Sequence, residues 1–123
     1  MDASDFFNCC LTLDLSQEIA RRNHASRQYY GLFHSIKEAF PEMPQYTQVG
    51  THQAVSEYLE KGYSGNEHDR KELKKLSYMM KQAKEFRVTA DYLLDKPFTE
   101  QECDSARQSV AKCLQKLAQI KSE

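Results

Sequence analysis

The stretch Ser16–Phe40, SQEIARRNHASRQYYGLFHSIKEAF, decides the fold. Its apolar residues recur three and four apart, the spacing of one face of an α-helix. With Ala25 set at zero on a helical wheel, Tyr29, Leu32, Phe33, Ile36 and Phe40 fall within about 80° of it. They form a core stripe. Tyr30, His34 and Arg27 fall at roughly 140°, 180° and 200°, with Asn23 beside them. Arg27 and His34 are two turns apart, about 10 Å along the axis. Spacing alone fits a solvated helix face. Two residues point further. Tyr30 is a large ring on the side that should be polar. Gly31 costs roughly 1 kcal/mol against Ala in a helix interior. Both are explained if a second helix, from the same chain or from another copy, packs there.

Proline limits this helix, because Pro41 and Pro44 stop it. Before it, residues 3 to 13 read as a short helix with Phe6, Phe7, Cys10 and Leu11 inward. Asp14 with Gln17 resembles a capping box, and Ser16 is a rival N-cap. After it, PEMPQYTQVG is a loop, and Thr51 caps a short helix from His52 to Lys61 with Val55, Tyr58 and Leu59 inward. Gly62 ends that helix, and GYSGNE is a turn. A second long helix runs from about His68 to Leu94, with Leu73, Leu76, Met80, Ala83, Ala90 and Leu94 on its apolar face. The same stripe carries Arg87 and Asp91. Charges on a core face need partners, so they read as a structural ion pair, with a contribution to the Arg27/His34 patch as the alternative. Pro97 breaks the chain, and Thr99 with Glu102 opens a last helix through a capping box. Its stripe is Cys103, Ala106, Val110, Cys113, Leu117 and Ile120, and fraying is expected from Lys121.

This pattern predicts an all-α bundle in one domain, residues 1–123, with two long helices, a C-terminal helix and two short ones. Charged residues make up 28 % and hydrophobic ones 40 %, with only 4 Gly and 3 Pro. That is the balance of a soluble, helix-rich globular protein. No apolar run reaches membrane-spanning length, and the N-terminus does not read as a secretory signal, so a cytoplasmic location is expected. Cys9, Cys10, Cys103 and Cys113 form no C-x-x-C pair and read as small buried hydrophobes. Neither they nor the four histidines have ligand-like spacing, so no metal is expected. The net charge of −1 excludes a generic nucleic-acid binder. An RNA contact must use a local patch, such as Arg21, Arg22 and Arg27. Lys71, Lys74, Lys75, Lys81 and Lys84 read as a solvated helix face. No helix–turn–helix spacing supports DNA binding.

Three segments in order carry a resemblance: Ser26-Arg27-Gln28-Tyr29-Tyr30-Gly31-Leu32-Phe33-His34, then Thr51-His52, then Arg87-Val88-Thr89-Ala90-Asp91-Tyr92. The layout resembles the YYxxFH branch of the HEPN family, the higher eukaryote and prokaryote nucleotide-binding domains, over nearly the whole chain. The resemblance implies a HEPN-like up-and-down bundle of four to five helices, commonly a homodimer. It implies a metal-independent, cofactor-free endoribonuclease of toxin–antitoxin or anti-phage defence systems, with RNA as substrate. Arg27, Gln28 and His34 match the family's Arg-polar-His pattern, although Gln28 stands where Asn, Asp or His is usual. In such a site His34 transfers protons and Arg27 binds the phosphate. Tyr30 orients the phosphate or stacks on a base, and Asn23 and Gln28 set the imidazole tautomer. The branch also contains small proteins encoded beside a minimal nucleotidyltransferase. The alternative is therefore a non-catalytic adaptor that binds a nucleotide or a partner nucleotidyltransferase through the same stripe.

Overall fold

A computed structural model describes residues 1–43, 51–62 and 65–122, apart from the side chains of residues 51 and 62. It is an all-α bundle of five helices, and no strand occurs among the described residues. α1 spans Ala3–Asn8 and continues as a 3-10 turn, Cys9–Thr12. α2 spans Glu18–Ala39, and α3 spans Thr51–Glu57 and continues as a π turn, Tyr58–Gly62. α4 spans Glu67–Tyr92 and α5 spans Glu100–Ser122. None of these helices is long and apolar enough to cross a membrane. The expected loop at 44–50, the tip of the turn at 63–64 and the terminal residue 123 lie outside the described residues.

α2 sits at the centre, packed against α1, α4 and α5. Its buried residues include the whole expected stripe, Ala25, Tyr29, Leu32, Phe33 and Ile36, with Phe40 at its C-cap. Gly31, Ser26 and His24 are buried too. The uncovered arc is narrow as a result. On the wheel it runs from roughly 120° to 200° and holds Ile19, Asn23, Arg27, Tyr30 and His34. The α5 stripe from Cys103 to Ile120 is buried throughout. Thr99 Oγ1 accepts from the Glu102 amide at 3.1 Å, one half of a capping box. α5 stays helical to Ser122, past the expected onset of fraying at Lys121.

Several expectations move. Leu11 is 82 % exposed, because α1 tightens into a 3-10 turn there and its periodicity changes. Leu94 is 70 % exposed. α4 ends at Tyr92, so a helical stripe no longer applies two residues later. Cys9 is exposed, whereas the other three cysteines are buried. α2 starts at Glu18, and Asp14 spends its carboxylate on the Ser16 amide and hydroxyl instead of capping the helix.

Arg21 and Arg22 leave the suggested RNA patch. Arg21 Nε donates to the Phe98 carbonyl at 2.8 Å, and Nη1 donates to that of Leu15 at 3.1 Å. Arg22 is 7 % exposed. Its guanidinium donates to the carbonyls of Thr89, Ala90, Leu93 and Lys96. The Thr89 and Leu93 carbonyls also accept backbone amides, from Leu93 and Lys96, whereas those of Ala90 and Lys96 have Arg22 as their donor among the described residues. Glu18 completes the clamp, accepting from Arg22 and from the Phe98 amide, and these bonds hold its carboxyl below the usual range. Arg22→Ala should lower stability by about 3 kcal/mol, since it strands the Ala90 and Lys96 carbonyls. Arg22→Lys should fall between. Urea denaturation followed by circular dichroism measures both; an Arg22→Ala protein as stable as the wild type would disprove the clamp.

Candidate functional site

The uncovered arc of α2 runs between two sets of neighbours. α1 forms one wall. Phe6 stacks flat on His34, with centroids 5.0 Å apart and planes at 11°, and lies 6.3 Å from Tyr30. Phe7 lies over Gly31, where a Cβ would stand 2.5–2.8 Å from three atoms of its ring. The second helix implied by Gly31 is therefore α1 of the same chain. Gln28 is half-buried against the Cys10 thiol, and burial is the main cause that pushes that thiol up to about 11.

α4 and α3 form the other wall. Arg87 is 8 % exposed, with its guanidinium 5.6 Å from the ring centroids of both Tyr29 and Tyr30 and 5.8 Å from that of Tyr92. Its Nη1 lies 3.5 Å from Asp91 Oδ2, which also accepts from Ser26 Oγ at 3.2 Å. Arg87 Nε is buried with no hydrogen-bond partner among the described residues. Arg87 and Asp91 thus pair with each other and also reach α2, Arg87 at Tyr29 and Tyr30 and Asp91 at Ser26.

Between the walls Arg27 and Asn23 are exposed, and His34 and Tyr30 are half-buried. The structure keeps Arg27 and His34 on one strip of α2, with no bond to each other among the described residues. Neither Asn23 nor Gln28 hydrogen-bonds the His34 ring among the described residues. A role for them in setting its tautomer has no contact behind it. Among the described residues no group of three His, Cys, Asp or Glu side chains is placed to hold a metal ion.

His52 adjoins the same strip from α3. Its ring packs 4.4 Å from Phe33, 5.3 Å from Tyr29 and 6.1 Å from Tyr30. Nδ1 lies 2.9 Å from the Tyr29 hydroxyl. Burial first, then the cations of Lys84 and Arg87 and the neighbouring His34, hold His52 down at about 4. The only signal in the sequence was the Thr51-His52 pair, which says nothing about what lies across the fold. Phe6 and Phe7 were read as inward, but their partners on α2 could not be read from spacing.

In comparisons with protein-family models, curated proteins and solved structures, none matches the chain.

Two measurements check this geometry. Gly31→Ala should push Phe7 off α2 and loosen α1, raising hydrogen exchange over residues 3–10 while α4 and α5 stay protected. The roughly 1 kcal/mol gain in helix propensity offsets part of the cost. In an NMR titration the His52 ring should stay neutral from pH 8 to about 5. An unfolded His52 binds a proton at a higher pH than the folded one does. Its contribution to stability is therefore complete above the unfolded value, near 6.5, and is lost as pH falls from there toward about 4. His52→Gln should flatten that part of the stability profile.

Proposed function

We propose that the chain is a HEPN-like endoribonuclease that cleaves RNA without a metal, through internal transesterification. The observation that carries this reading is the narrow uncovered arc of α2. It keeps a guanidinium, Arg27, and a half-accessible imidazole, His34, on one side of a single helix with Tyr30 between them. RNA supplies its own nucleophile. A base takes the ribose 2′-OH proton and the oxygen attacks the adjacent phosphorus. The 5′-oxygen leaves and takes up a proton, giving a 2′,3′-cyclic phosphate. His34 moves the protons. Arg27 holds the phosphate and meets the charge that grows on it in the transition state. Tyr30 lies on the substrate's path and suits stacking on a base.

The reaction needs two proton-transfer events, and a second copy docked on this face brings a second His34. Ile19, two turns before Arg27 on the same side of α2, is 64 % exposed, and Tyr92 is 68 % exposed. They offer such a copy apolar contacts. The biological setting that fits is a toxin–antitoxin or anti-phage system.

One observation favours a second reading. Phe6 covers one face of the His34 ring, where a substrate would otherwise stack. A non-catalytic adaptor that binds a nucleotide or a partner nucleotidyltransferase needs the same strip of α2 but no free imidazole.

His34→Ala and Arg27→Ala should each abolish RNA cleavage with the circular dichroism spectrum unchanged. The wild-type products should end in 2′,3′-cyclic phosphate, with chelator making no difference. Cleavage that survives in either purified variant removes the catalytic roles. An inactive wild type whose partner binding survives His34→Gln establishes the adaptor.

A further inference from the structure

A cleft of about 420 Å³ lies between α3 and α4, with Tyr29 at its floor. His52 and Ser56 line it from α3, and Lys81 and Lys84 from α4. His52 borders the uncovered strip of α2. It touches Phe33 and Tyr30, and Phe33 in turn packs edge-on against His34. The proposed reaction leaves this cleft unused.

The hydrogen bond at its floor fixes a donor. Tyr29 is fully buried, and burial keeps its phenol protonated far beyond neutral pH. Its only hydrogen-bond partner among the described residues is His52 Nδ1, 2.9 Å away. A buried hydroxyl proton without an acceptor is costly, so the phenol donates and Nδ1 accepts. The ring is neutral at neutral pH. A neutral imidazole that accepts at Nδ1 carries its proton on Nε2. His52 therefore keeps an Nε2–H with no partner among the described residues.

The other polar groups divide in a consistent way. Both lining carboxylates are engaged. Glu57 accepts from Gln53 at 3.1 Å, and Glu60 from Ser77 at 2.9 Å and Lys81 at 2.6 Å. The Ser56 hydroxyl and the half-buried Lys84 ammonium have no partner among the described residues. What the cleft leaves unspent is donors. A ring N–H, a hydroxyl and an ammonium from two helices suit an anion with several oxygens.

We propose that this cleft is a phosphate subsite, in which His52 Nε2–H, the Ser56 hydroxyl and the Lys84 ammonium hold an RNA phosphate neighbouring the one at His34. The neighbour relation rests on the ribonuclease reading; the anion site does not.

The test uses the full chain labelled with nitrogen-15. At pH 7 the His52 ring should show the Nε2–H tautomer; an Nδ1–H tautomer overturns the proposal. Inorganic phosphate should shift the His52 and Lys84 resonances, and resonances that stay still overturn it. His52→Ala should weaken phosphate binding about tenfold, the loss of one charge-assisted hydrogen bond. His52→Gln, whose amide N–H reaches the Nε2 position, should restore most of it. Tyr29→Phe keeps the ring in the core and removes the lock; it should give mixed tautomers and a severalfold loss. For the RNA arm, a short single-stranded oligonucleotide is bound to His34→Ala protein, which spares it from cleavage. Adding His52→Ala should weaken that complex about tenfold. Phosphate binding that depends on His52 beside RNA binding that does not would assign the cleft to free phosphate and overturn the RNA half. Cleavage that depends on His34 with no effect of His52→Ala on either ligand sinks the subsite alone. An inactive wild type that still loses phosphate with His52→Ala sinks the ribonuclease reading alone.

Discussion

The Arg22 guanidinium is the constraint on which the rest of the molecule depends. A helix end leaves carbonyls without partners, and burying such an end is costly unless something donates to them. Arg22 reaches from α2 and donates to four carbonyls at and beyond the end of α4, while Glu18, one turn earlier, receives the Phe98 amide. One turn of α2 therefore ends α4, turns the chain and starts the approach to α5. A positive group at the negative end of a helix also fits the helix dipole. The packing of Phe98 follows from this, with its ring fully buried and 5.7 Å below the same guanidinium.

The clamp sets the register between α2 and α4, and that register places the chemistry. Arg87 lies one turn before the carbonyls that Arg22 caps. It arrives against Tyr29 and Tyr30, and Asp91 arrives at Ser26. On the opposite flank α1 runs antiparallel to α2. The Ala3 amide meets Glu38 at 2.9 Å, and the Cys10 thiol meets the His24 carbonyl. Two neighbours therefore cover α2 from either side, leaving a strip one or two side chains wide. Its cations are divided by use. Arg21 and Arg22 hold the fold, Arg87 is paired and buried, and Arg27 remains in solvent.

Much of the architecture was written in spacing. The α2, α4 and α5 stripes, the stop at Pro41 and the cap at Thr99 depend on contacts within a few residues, so one-dimensional patterns report them. Where the pattern misled, a local assumption failed. Leu94 was counted on a helix that had already ended, and Leu11 on a helix that had already tightened. Arg21 and Arg22 looked like surface cations because no pattern within α2 shows a carbonyl some seventy residues away. The side of α2 that carries Arg27, Tyr30 and His34 was legible for the same reason as the core: angular position on a helix follows from residue number.

The sequence by itself determined an all-helical chain, the face each long helix turns inward, and the strip on which a cation, a phenol and an imidazole line up. Only the tertiary structure decided what adjoins that strip. It placed Phe6 on His34 and Phe7 on Gly31, and it put the Tyr29 hydroxyl on His52 and Arg87 between three tyrosines. The physical reason is range. Helix formation and amphipathic patterning are set by neighbours three and four residues away. The pairing of one helix with another is set by side-chain volumes and by unsatisfied polar groups that meet only after the chain has folded.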